Sequence, residues 1–179
     1  MKRLYLPLIL FFLMTLEGVA LELLPAKLVI NNSWIIPHWV FMFLVLIAVY
    51  YDLESSHFSV IYGVIFGLLI DIVYTGVLGV YMFSYAFSIS IIYGLKKMIH
   101  ANIYGVLFLG LIGTVLTDIS INFIYTVVGM TDMGWGNYFL YRLFPTILAN
   151  LLFLIVLYPL ITKQLVEWRR EQINRNRIL

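Results

Sequence analysis

The sequence predicts an all-α integral membrane protein with six transmembrane helices and both chain termini on the cytoplasmic side. Three observations carry that expectation. The 179 residues are 63% hydrophobic and 11% charged, with a mean hydropathy of +1.01, whereas soluble domains run at roughly 45–50% apolar. Polar or turn residues divide the chain into six apolar segments, each near the ~20 residues that cross a bilayer. Lys and Arg gather on one side of those segments, as positive-inside topology requires.

The first segment runs from about Leu4 to Leu24 and stops at Pro25. MKR followed by an apolar run has the outline of a secretory signal, but the run exceeds the usual ~7–15 residues and no small-x-small site follows, so it is expected to remain as a span. After the polar loop AKLVINNSW, the second segment begins near Pro37, a residue suited to a first helical turn, and ends at Asp52. The third covers about Phe58 to Tyr74. A turn, Tyr74-Thr75-Gly76, leads into the fourth, Leu78 to Leu95, which Lys96 and Lys97 close. The fifth, Ile103 to Val128, is long enough to tilt. A Gly-rich loop, GMTDMGWGN, separates it from the sixth, about Tyr138 to Ile161. Residues 1–162 thus read as a six-helix membrane domain and 163–179 as a basic amphipathic cytoplasmic tail.

Charge placement sets the orientation. With both termini inside, the cytoplasmic side receives Lys2, Arg3, Lys96, Lys97, Lys163, Arg169, Arg170, Arg175 and Arg177 and the outside keeps Lys27 and Arg142, nine against two. Trp34, Trp39 and Trp135 then fall at the outer interface and Trp168 at the inner one. Lys96, Lys97, Arg169, Arg170, Arg175 and Arg177 are candidates for contact with the anionic membrane surface or a cytoplasmic partner.

Several function classes drop out. Without cysteine there is no disulfide, thiolate site or thiol nucleophile. His38, His57 and His100 lie far apart, so no metal site is expected, nor any cofactor; each reads as a polar residue near an interface. No loop exceeds about a dozen residues, within the range of simple helix connections, which leaves no room for a catalytic head. An enzyme is not expected, nor a nucleic-acid partner.

The polar residues inside the spans are the informative ones. Gly63, Gly67 and Asp71 recur every fourth residue and share one face of the third segment with Ile70 and Tyr74. A carboxylate beside lipid costs ~2.5–3.5 kcal/mol on insertion scales, so Asp71 should face protein, and the glycines should let a neighbouring helix approach closely. Gly110, Thr114, Asp118 and Asn122 form a similar stripe on the fifth segment, Arg142, Thr146 and Asn150 on the sixth, and Ser84 and Ser88 a weaker one on the fourth. At ~1.5 Å per residue Glu17, Asp71 and Asp118 reach about the same depth, and Arg142 enters from outside to meet them. The expectation is a polar seam in which Arg142 bridges Asp71 or Asp118. Pro145, just beyond Arg142, should kink the sixth helix or mark its start and free a backbone carbonyl near the seam. Two readings of the seam stay open: a network that fixes helix register and leaves a groove for a membrane partner, or a solute cavity.

Taken together, the stretch from Gly67 and Asp71 on to Leu78-Gly79-Val80-Tyr81-Met82-Phe83, the later Arg142-Leu143-Phe144-Pro145-Thr146-Ile147-Leu148-Ala149-Asn150 and the opening MKRLYLPLIL resemble the MreD family of bacterial rod shape-determining membrane proteins. The resemblance covers essentially the whole chain. It implies a non-enzymatic component of the cell-elongation machinery in the cytoplasmic membrane, binding MreC and, through the complex, MreB, RodA and a class B penicillin-binding protein. It also implies a fold similar to the S components of energy-coupling-factor transporters, which makes a solute-binding transporter subunit the alternative. Such subunits dock through small residues on the first helix, and here only Gly18 and Ala20 are small in that span.

Overall fold

The structure is a computed structural model that describes residues 4–23, 34–54 and 56–178. Among them there is helix and no strand: α1 (Tyr5–Leu23), α2 (Trp39–Leu46), α3 (Phe58–Tyr74), α4 (Val80–Leu95), α5 (Ile103–Val127), the single turn α6 (Trp135–Tyr138) and α7 (Phe144–Ile178). Two wide π-helical turns extend these elements, Ile47–Tyr51 running on from α2 and Phe139–Leu143 joining α6 to α7. Two helices, Ile103–Val127 and Trp135–Asn174, have the length and apolarity to cross a membrane, and Tyr5–Ala20, Trp39–Tyr51, Phe58–Tyr74 and Val80–Leu95 are shorter apolar helices. Pro25 and most of the loop after it lie outside the described residues, as do Lys2, Arg3 and Lys27.

Helix α2 is the hub. Its sequence, WVFMFLVL, is apolar all round, and a helix without a polar face is stable only where every side is covered. Val40 to Leu46 are completely buried, and α2 packs against α1, α3, α4, α5 and α7. The chain continues into the π turn, where the amide of Asp52 reaches the carbonyl of Ile47, five residues back, at 2.9 Å. Lys96 fills the space beside this widened turn, donating to the carbonyls of Ala48 at 2.8 Å and Asp52 at 3.2 Å.

Pro37 does not open the helix. It lies in an extended stretch, and α2 begins only at Trp39, because side chains of α7 hold residues 34–38 as a strand-like strap. Helices α3 and α4 form the closest pair. At Gly67 a Cβ would stand 2.7 Å from Met82 Cα, so backbone meets backbone there and only glycine fits without moving a helix. Gly63 faces Ile89 on the same partner, and Gly110 of α5 faces Leu154 of α7.

Helix α7 runs unbroken from Phe144 to Ile178 and carries Pro159 in its interior. Its later turns pack back on the bundle: Leu165 and Trp168 are buried in the core, and the Trp168 ring stacks on Tyr5 of α1 at 5.8 Å. The start of α1 and the last third of α7 therefore lie at the same end of the molecule.

Candidate functional site

The polar interior is built around helix N-termini, where the first backbone N–H groups have no partner within their own helix. A side chain from a neighbouring element supplies the acceptor at three of them. Asp71, completely buried at the end of α3, accepts the amides of Gly79 at 2.9 Å, Tyr81 at 2.9 Å and Met82 at 3.1 Å, and so caps α4. Gly79 has no side chain to do this itself and sits at φ 97°, a conformation that favours glycine. Thr75 braces the junction by donating to the Asp71 carbonyl at 3.0 Å.

Glu17 of α1 accepts the amide of Val40 at 3.1 Å, in the first turn of α2. Asp52 accepts the amides of Phe58 at 3.1 Å and Ser59 at 3.0 Å and the Ser59 hydroxyl at 2.5 Å, capping α3. A carboxylate at a helix N-terminus also meets the favourable end of the macrodipole.

The stripe on α7 holds the strap. The Asn150 side chain accepts the His38 amide at 2.7 Å and donates to the Ile36 carbonyl at 2.9 Å. Thr146 accepts the Ile36 amide at 3.1 Å. One turn earlier, the amide of Trp34 donates to the carbonyl of Tyr141 at 2.6 Å. Pro145, four residues on, has no N–H with which to compete for that carbonyl. Irregular backbone in an apolar interior needs its polar groups satisfied by protein, and here one face of a helix does so.

An ion pair completes the site. Arg142 stands 3.4 Å from Asp118, which also accepts the Tyr138 hydroxyl at 2.6 Å. Of the three acids placed at one depth, Asp118 alone meets the guanidinium; Asp71 and Glu17 are held by backbone amides instead. His38 is a correction. Placed near an interface by its position in the sequence, it is completely buried, with Nε2 3.6 Å from Asp118 and Nδ1 3.3 Å from the Tyr85 hydroxyl. It gave no signal in the sequence, because the strap that carries it inward leaves no periodic pattern.

Asn122, Ser84 and Ser88 are buried without a hydrogen-bond partner for Asn122 Oδ1, Ser84 Oγ or Ser88 Oγ, and Thr114 donates back to the carbonyl of Gly110 at 2.8 Å. Pro145 lies in the first turn of α7. On one side of the ion pair a cavity of about 340 Å³ opens between Trp34, Tyr125, Met130, Thr131, Met133 and Arg142. Lys96, Lys97 and Arg169 meet at a second pocket. Arg170 is exposed, and the side chains of Arg175 and Arg177 lie outside the described residues. No group of three or more metal-ligating side chains exists among the described residues.

Apolar helices around a central apolar helix, two of them long and apolar enough to cross a membrane, define an all-helical protein whose interior carboxylates and amides are committed to the ends of neighbouring elements. The chain belongs to the MreD family: the family model described as rod shape-determining protein MreD matches residues 2–167. The chain is 30% identical over 157 residues to the rod shape-determining protein MreD of Bacillus subtilis (strain 168), covering 88% of this chain and 90% of that relative. No solved structure matches. Family membership carries a role in cell shape, in a membrane-protein family.

Proposed function

We propose that this chain is a non-enzymatic scaffold of the bacterial cell-elongation complex, spanning the cytoplasmic membrane six times with both termini inside and binding an MreC-type partner. Through that partner it would help couple MreB filaments to RodA and a class B penicillin-binding protein in peptidoglycan synthesis. The observation that carries the reading is the commitment of Asp71 to the amides of Gly79, Tyr81 and Met82, with Asn150 and Thr146 likewise committed to the strap. Interior polar groups used in this way fix helix register, which a scaffold needs. The stacking of Tyr5 on Trp168 supports termini on one side, and the lysine and arginine count supports the cytoplasmic side. The outward groove beside α3, α5 and α7 is the surface proposed for a partner's membrane or juxtamembrane segment.

Co-purification tests the reading. Arg142→Ala, which removes the cation from the outer cavity, should reduce recovery of an MreC-like partner from membranes while the variant itself remains monodisperse. Full recovery of the complex would count against the groove as the docking surface. The cavity of about 340 Å³ at Arg142 favours one second reading, a solute-binding subunit like the S components. A rise in melting temperature with a vitamin-like compound, lost in Arg142→Ala, would select it.

A further inference from the structure

The end of the bundle marked by Trp168 carries a concave pocket of about 180 Å³ whose charged lining is Lys96, Lys97 and Arg169, with Asp52 and Glu54. Its cations come from separate places. Lys96 and Lys97 follow the end of α4, and Arg169 comes from α7, more than seventy residues later in the chain. Their arrangement does not serve ordinary ion pairing. The two carboxylate oxygens of Asp52 are turned to α3, on Phe58 and Ser59, and only its main-chain oxygen meets Lys96. Glu54 is exposed, and its carbonyl takes the Tyr93 hydroxyl at 2.9 Å. Arg169 Nε is buried and has no hydrogen-bond partner.

We propose that this pocket binds a phosphate group, carried either by the headgroup of an anionic lipid or by a free phosphate ester, with Arg169, Lys97 and Lys96 as its donors. A guanidinium and two ammonium groups converging from two elements suit a tetrahedral anion, whose oxygens point to separate donors, better than a planar carboxylate. Arg169 supplies the forked donor and the lysines supply point charges. Burial foremost pushes Lys96 down to about 8; Asp52 and Glu54 oppose this, and Arg169 and Lys97 push it further. The pocket is open on one side, and its volume of about 180 Å³ has room for a phosphate and its ester oxygens. The site is distinct from the diffuse attraction of a basic tail to an anionic surface, because of the tail residues Lys163, Arg169 and Arg170 only Arg169 lines the pocket with Lys96 and Lys97.

The test uses the full chain purified in detergent, offered equal amounts of phosphatidylglycerol and phosphatidylcholine, with bound lipid read by native mass spectrometry. Retention of phosphatidylglycerol over phosphatidylcholine is expected, reduced about tenfold in Arg169→Gln or Lys97→Gln, the factor for losing one hydrogen bond to a charged group. Arg169→Lys should keep part of it, Glu54→Gln should raise it, and Lys163→Gln should leave it unchanged. In a second arm, glycerol 3-phosphate or inorganic phosphate is added to lipid-stripped protein and the melting temperature followed. A rise lost in Arg169→Gln assigns a free phosphate ester; lipid retention without such a rise assigns the headgroup. No response in either arm, or equal losses in Lys163→Gln and Arg169→Gln, overturns the site.

Discussion

The amide of Trp34 donates to the carbonyl of Tyr141 at 2.6 Å, an acceptor for which Pro145, four residues on, has no N–H to compete. Below it Thr146 and Asn150 continue the row of bonds along residues 34–38, so one face of α7 acts toward the strap much as a neighbouring strand would. Asn150→Ala would strand the His38 amide and the Ile36 carbonyl in a buried site, at about 1–3 kcal/mol each. The expected outcome is the largest fall in melting temperature of any single change on this stripe, with Thr146→Val costing about half as much. Thermal unfolding in detergent checks both, and equal melting of Asn150→Ala and the unaltered protein would remove the strap from the stability of the bundle.

The first of the two motifs is one mechanical unit. Gly67 lets the α4 backbone approach, and Asp71 holds the amides of Gly79, Tyr81 and Met82 at the point of approach. Gly67→Ala should force the helices apart at a cost of about 1–3 kcal/mol. Once they are apart Asp71 has less to lose, so Gly67→Ala combined with Asp71→Ala should destabilise by clearly less than the sum of the two. Gly67→Ala combined with Asn150→Ala, which share no partner, should add within about 0.5 kcal/mol. The two comparisons, made by the same melting assay, separate coupling at the α3–α4 junction from general loosening.

Much of this was legible as faces and little of it as pairings. Four-residue spacing placed Gly63, Gly67 and Asp71 on one side of α3 and Arg142, Thr146 and Asn150 on one side of α7, because a helix repeats its neighbours at that interval. Depth along the spans brought Asp118 and Arg142 to one level, and they do meet. The same arithmetic also set Glu17 and Asp71 beside that cation. It cannot see that the competing partners are backbone amides at the starts of α2 and α4. His38 was hidden for a related reason. Its position follows from an extended strap held by residues more than a hundred positions away, and no local pattern encodes that. The proline gave a partial signal: its missing N–H pointed to a free carbonyl near the seam, and which carbonyl and which donor needed the structure.

Burial lowers Lys96 from 10.5 to about 8, and the sign of its effect on stability follows. Between pH 8 and 10.5 the unfolded chain holds this proton and the folded one does not, so stability rises with pH across that window and is flat below it with respect to this group. Lys96→Met removes the group. The difference in melting temperature between the unaltered protein and this variant should therefore shift in favour of the unaltered protein as pH goes from 8 to 10. A pH-independent difference would mean that the ammonium is no harder to keep charged in the fold than in water.

Asp118 and Arg142 form a pair in which only the cation reaches solvent, with 15% of its side chain exposed against none for the acid. Arg142→Met leaves the carboxylate buried with the Tyr138 hydroxyl as its closest donor, and losing a hydrogen bond to a charged group costs about 1.5–3 kcal/mol. Asp118→Asn keeps an acceptor for Tyr138 and removes the negative charge, so the arginine, part exposed, can turn to the adjoining cavity at lower cost. The acid should thus be the less damaging of the two to neutralise. Combining both changes should restore part of what Arg142→Met loses, since no unpaired carboxylate remains. Melting temperatures of the two single variants and the double variant close the cycle. Strict additivity would show that Asp118 and Arg142, 3.4 Å apart, do not sense each other's charge.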